Sequence, residues 1–239
     1  MPDTETVDRI LVVSAHPDDV DFGAAGSIAT WTDAGIEVSY CMVTDGDAGG
    51  SDESMSRAEM ARIRRAEQTA AAATVGVHDL HWLGYPDGRL AATIELRRDI
   101  TRVIRQVRPQ RVVLQSPERN YSRIFASHPD HLAAGEAALC AVYPDSRNPF
   151  AHPELLDIER LEPHTVREAW LMAHPDADTS VDITDAFDRK IAALRCHESQ
   201  VGGRDDLAGM LREWSTAIAK QRGLPDGRLA EAFRVIQAT

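Results

Sequence analysis

Positive charge is scarce in this sequence, and lysine scarcer still. Lys190 and Lys220 are the only lysines, and 26 basic residues face 38 acidic ones, for a formal net charge of −12 at pH 7. Such a chain cannot neutralise a row of phosphates, so no nucleic-acid partner is expected. Nowhere do about 18 apolar residues run together, so no transmembrane helix and no membrane partner is expected. Cysteine is limited to Cys41, Cys140 and Cys196, odd in number, far apart and in apolar surroundings. That is the pattern of reduced core thiols in a cytoplasmic protein, not of a disulfide framework. The opening stretch MPDTETVDRI is acidic and polar, the wrong chemistry for a secretory signal. Solenoid repeats and low-complexity tracts are missing too.

What is present reads as one folded unit. A hydrophobic fraction of 43% over 239 residues is enough for a single large core. Apolar, β-branched runs are expected to form strands at Ile10–Ser14, Glu37–Thr44, Leu80–Gly84, Arg111–Ser116 and Ala169–Ala173. Helical patterns lie between them at Gly23–Ala34, Ser56–Val75, Ile94–Val107 and Pro129–Tyr143. Three more follow at Asp185–His197, Leu207–Gln221 and Arg228–Ile236. Strands alternating with helices imply an α/β, Rossmann-like three-layer fold, its mainly parallel sheet flanked by helices. The proline- and acid-rich stretch Pro144–His164 reads as a surface excursion, leaving residues 1–239 as one domain.

In such sheets ligands sit beyond the carboxyl ends of the strands. His16-Pro17-Asp18-Asp19 follows the first expected strand, TDGDAGGSDE the second, GYPDG the third and SPERNYSRIFASHPDH the fourth. Proline beside an acid is ordinary helix-start chemistry, and one Asp suffices for that. The first and fourth stretches carry more. His16, Asp19 and His131 make a two-His, one-carboxylate set, the ligand number of a catalytic zinc site with an open position for water. Asp18 and His128 are left over beside that water, an acid–base pair of the kind hydrolysis requires. The same donor set suits iron(II).

Together, AHPDD, TDGDAGG, GYPDG and SHPDH resemble the LmbE-like, or PIG-L, family of zinc-dependent N-deacetylases. VDITDAFDRKIAALRCHESQ is similar to that family's C-terminal helix, so the likeness covers nearly the whole chain. The resemblance implies His16, Asp19 and His131 as zinc ligands and Asp18 as general base. It implies a protonated His128 that stabilises the oxyanion or protonates the leaving amine, with Asp130 orienting it. Arg64 and Asp87 match positions that contact substrate polar groups. The implied substrate is a small molecule, an N-acetylated amino sugar or an amide conjugate, and a homo-oligomer is compatible with the likeness. Two departures stand out: Val20 where the family often has Glu, and Ala126 where some members carry a carbonyl-polarising Tyr. Tyr121 is one candidate to replace it.

Rival readings are a mycothiol S-conjugate amidase-type hydrolase and a non-catalytic nucleotide- or metal-binding module. The module is disfavoured because the first strand–helix turn lacks G-x-G-x-x-G and carries metal-type side chains instead. A calcium loop from Asp45 is rejected, since its fifth position is Gly49 and its twelfth is Ser56, where a bidentate Glu is needed. His152 reads as a turn residue, His174 as a strand-end residue that could line the cleft, and His197 as a helix-end residue without an assigned role.

Overall fold

Seven strands form one sheet in the order β3-β2-β1-β4-β5-β7-β6 in the computed structural model, which describes residues 6–50 and 52–239. In chain order the elements begin with β1 (Arg9–Ser14), α1 (Asp19–Asp33), β2 (Glu37–Thr44), α2 (Arg57–Thr74) and β3 (Asp79–Tyr85). Next come α3 (Ile94–Val107), β4 (Arg111–Gln115), α4 (Pro129–Cys140), α5 (Pro153–Asp157), β5 (Glu168–Met172) and β6 (Thr179–Asp182). The chain then runs through α6 (Phe187–Arg195), α7 (Glu198–Val201), α8 (Leu207–Gln221) and β7 (Ala230–Gln237). β1 to β5 run parallel to one another, while β7 is antiparallel to both β5 and β6.

The central strands are apolar on both faces because both are covered. Ile10 and Val12 pack with Ile28 of α1 and Ala71 of α2. Leu11 and Val13, pointing the other way by the two-residue period of a strand, pack with Ile100 of α3 and Ala138 of α4. A third apolar cluster joins α6, α7 and α8 around Ile183. Strand order reverses between β1 and β4, which opens the crevice of a doubly wound sheet at their carboxyl ends. Among the described residues no helix is long and apolar enough to cross a membrane.

Residues 228–236, expected to be helical, instead supply most of β7. Their Leu, Ala and Glu content favours a helix locally, but the outer edge of β5 needs a partner and tertiary pairing overrides propensity. Phe233 and Val235 accordingly face one core and Ile236 the other. β6 has no counterpart in the sequence reading, because its four residues, mostly half-exposed, carry too short a pattern. α1 starts at Asp19, not Gly23, so Asp19 lies in its first turn. α4 stops at Cys140, and Tyr143, ahead of Pro144, leaves helical geometry at φ −147°. The 144–164 excursion is fastened down: buried Asp145 accepts from Arg97 of α3 at 2.8 and 2.9 Å.

Candidate active site and metal centre

The crevice between β1 and β4 is where the two His-Pro-Asp stretches meet. Just past β1, the Ala15 amide donates to Gln115 Oε1 at 2.8 Å, and the Ala15 carbonyl accepts from the Thr44 amide and hydroxyl at 2.9 Å. These bonds staple the exits of β1, β2 and β4 together. His16 follows, and at Asp18 the backbone enters the left-handed region, φ 81°. Asp18 holds the N-cap position of α1, yet its side chain makes no capping bond. On the other side His128 caps α4, its Nδ1 accepting from the Asp130 amide at 3.2 Å, with Pro129 at the first helical position. α4 lies close against β4 because residue 135 is glycine; a Cβ there would overlap the Gln115 carbonyl.

Asp19 stands between two imidazoles. His16 Nδ1 is 3.2 Å from Asp19 Oδ2, and His131 Nε2 is 3.0 Å from Asp19 Oδ1. The other nitrogen of each ring is occupied. His16 Nε2 faces Asp87 Oδ1 at 3.0 Å and Asp130 Oδ2 at 3.2 Å, and His131 bonds the Ala126 backbone. Such outer contacts fix the ring orientation and present one nitrogen inward, as around metal-ligating histidines. Ring nitrogens of His16, His128 and His131 lie within 4.8 Å of one another, as do ligand atoms of His16, Asp87 and Asp130. The second group is the less suited to an ion. Asp130 already accepts from the Gly88 and Leu90 amides at 2.7 and 3.1 Å, and Asp87 from the Ala48 amide at 3.0 Å.

The electrostatics fit a bound cation. Burial works against a charged His16, yet hydrogen bonds to Asp130, Asp19 and Asp87 push its pKa up to about 12. Three carboxylates holding a proton that tightly form a site short of positive charge. Asp19 is pulled up by burial and more strongly down by His131 and His16, ending well below the usual carboxylate range. Asp18 goes the other way: burial, aided by the charge of Asp19 and opposed by Arg64, pushes it up to about 7. His128 is lowered by burial and by the charges of His16 and His131.

Several residues sit differently from expectation. Asp130 was expected to orient His128, but its carboxylate is on His16 and only its amide meets the His128 ring. Arg64 and Asp87, expected to contact substrate, are only 4% and 7% exposed. Arg64 donates to the Pro17 carbonyl at 2.6 Å and the Gly46 carbonyl at 3.0 Å, and stands 3.4 Å from Asp18 Oδ2. His152 faces Asp145 at 3.4 Å, and His174 faces Glu118, just past β4, at 3.3 Å. Tyr121 is 85% exposed. Asp45 and Asp47 of the glycine-rich loop are paired with Arg65 and Arg57. Sequence reasoning passed over Asp21 and Gln68, buried polar residues whose partners lie far away in the chain.

Comparison with known proteins identifies the family and the fold. Residues 11–142, more than half the chain, match the model of the PIG-L family, GlcNAc-PI de-N-acetylase. The chain is similar to diacetylchitobiose deacetylase of Thermococcus kodakarensis, with 34% identity over 96% of this chain and 84% of that one. A probable N-acetyl-alpha-D-glucosaminyl L-malate deacetylase 2 of Bacillus cereus is 33% identical over 80% of this chain and 83% of its own. Among solved structures, N,N′-diacetylchitobiose deacetylase from Pyrococcus horikoshii, complexed with its inhibitor MPG, superposes with a TM-score of 0.87. It is 34% identical, covering 97% of this chain and 85% of that one. With its paired His-Pro-Asp stretches meeting at the reversal point of the same sheet, this chain belongs to the PIG-L family.

Proposed function

We propose that the protein is a cytoplasmic, single-domain N-deacetylase of N-acetylated amino sugars, with a divalent metal, zinc or iron(II), held by His16, Asp19 and His131. The observation that carries this reading is the Asp19 carboxylate set between His16 Nδ1 and His131 Nε2, each ring braced at its other nitrogen. The deacetylases among the relatives supply the substrate class. When bound, such an ion supplies Lewis acidity and lowers the pKa of water to ~7.

The chain's own residues then divide the work. Asp18, pushed up to about 7, is matched to take a proton from the attacking water near neutral pH. His128 Nδ1 accepts from the Asp130 amide, which leaves the ring's proton to Nε2. This differs from the protonated His128 implied by the family likeness. A neutral Nε2–H still donates to the oxygen on which charge develops as water adds to the amide carbon. Asp18 returns its proton to the amide nitrogen as the C–N bond breaks, releasing acetate and the free amine. Arg64 braces the Asp18 turn and Asp87 orients His16.

The test is release of primary amine from N-acetylglucosamine, N,N′-diacetylchitobiose and an S-conjugate amide by the metal-loaded protein. Turnover of the amino sugars is expected. Amine released from the S-conjugate alone would move the assignment to an amidase, and none from any substrate would end the hydrolase reading.

A further inference from the structure

We infer that His197 is a positioning residue, setting the turn that carries Asp18 through a buried chain of hydrogen bonds that runs by way of Asp21 and Gln68. The inference rests on the deacetylase reading, in which Asp18 is the base.

The Asp18 backbone lies at φ 81°, a region that non-glycine residues rarely adopt. Its side chain caps nothing, and α1 holds it only through its carbonyl, which accepts from the Asp21 and Phe22 amides at 2.9 and 3.0 Å. On its N-terminal side it is held by a clamp on one peptide unit. The carbonyl of that unit, on Pro17, accepts from Arg64 Nη2 at 2.6 Å, and its N–H, on Asp18, donates to Gln68 Oε1 at 2.9 Å. Arg64 and Gln68 lie four residues apart, on one face of α2.

A glutamine amide serves this clamp in one orientation only. Turned over, it would set its NH₂ against the Asp18 N–H, donor against donor. Asp21 decides the matter: its Oδ2 accepts from Gln68 Nε2 at 2.9 Å and so points Oε1 toward Asp18. The same Oδ2 lies 2.8 Å from His197 Nε2. Asp21 and His197 are both wholly buried, and among the described residues His197 Nδ1 has no partner, so Nε2 carries the proton and donates. His197, from the segment between α6 and α7, thus ends a chain whose other end is the Asp18 amide. Its family-like setting in CHESQ gave no physical reason for a role; these contacts do.

The experiment compares Gln68→Met, His197→Phe and His197→Gln with the unmodified protein, all metal-loaded, on whichever amino sugar the latter turns over. Misplacing a base costs about 10²-fold. Gln68→Met and His197→Phe should lower kcat on that scale, with KM and metal content held, while His197→Gln, which keeps a donor, restores most of it. In an Asp18→Asn background the same substitutions should cost nothing further, because the residue they position no longer acts as a base. Amide exchange at Asp18 should quicken in Gln68→Met and His197→Phe. An unchanged kcat, a loss that persists undiminished in the Asp18→Asn background, or unaltered exchange at Asp18 would each overturn the inference. Gln68→Met serves should His197→Phe not fold. If the unmodified protein releases no amine at all, the deacetylase reading fails, and the exchange measurement still decides the clamp.

Discussion

Asp18 and Asp19 are neighbours in the chain with opposite electrostatic fates, and the difference assigns their work. Asp19 meets two imidazoles and is held ionised; Asp18 meets desolvation and the charge of Asp19, and is pushed up to about 7. In the proposed mechanism one is a ligand and the other a base. Asp18→Asn should therefore keep fold and metal while losing hydrolysis by ~10²–10⁴-fold. His131→Ala should lower metal content from about one ion per chain, as measured by elemental analysis of the purified proteins. If Asp18→Asn emptied the site while Asp19→Asn left it filled, the two roles would be reversed. That these residues would share one cleft was legible in the sequence, since each motif follows an apolar run that must end at the same sheet edge. Their neighbours' partners were not. Whether Asp130 turns to His128 or to His16, and whether Arg64 points to solvent or to the Pro17 carbonyl, depends on side-chain directions set by packing across tens of residues.

At the scale of elements, the site depends on how closely α4 approaches the strands. His131 lies in its first turn, and Gly135, one turn further on, is where the helix rests on the Gln115 carbonyl. Gly135→Ala would place a methyl group inside that contact and push α4 outward. The expected cost is ~1–3 kcal/mol, the usual range for overpacking, together with weaker metal binding as His131 draws away from Asp19. Gly203→Ala, where a Cβ meets nothing within 4 Å, is the matched control. Chemical denaturation and metal titration of both variants check this; equal behaviour of the two would show that α4 has room to spare. The parallel half of the sheet was readable because buried strands and amphipathic helices leave different periods. β7 was not, because its Ala–Glu–Ala start looks helical and only the open edge of β5 makes it a strand.

Across the whole molecule, the last strand ties the C-terminal half to the helix that carries Asp19. Glu231 of β7, only 4% exposed, accepts from the Gly26 and Ser27 amides of α1 at 3.1 and 2.7 Å and from the Ser27 hydroxyl at 2.5 Å. Lys190 of α6, one of the two lysines in the chain, meets Glu231 Oε1 at 2.5 Å. Its Nζ also donates to the Asp21 and Phe22 carbonyls at 3.1 and 2.6 Å. One ammonium thus closes a knot between α1, α6 and β7. Desolvating two charges offsets most of what their attraction contributes, so the pair itself adds little net stability. Removing one partner is another matter, because the other is left buried and unpaired, at a cost of ~3–5 kcal/mol. Lys190→Met should therefore destabilise the protein on that scale in urea denaturation. Adding Glu231→Gln should recover part of the loss, since a neutral amide oxygen can still accept from the Ser27 amide and hydroxyl without carrying an uncompensated charge. If the double variant proved as unstable as the sum of the two single changes, the damage would come from lost packing and hydrogen bonds, and the two charges would not be acting as a pair.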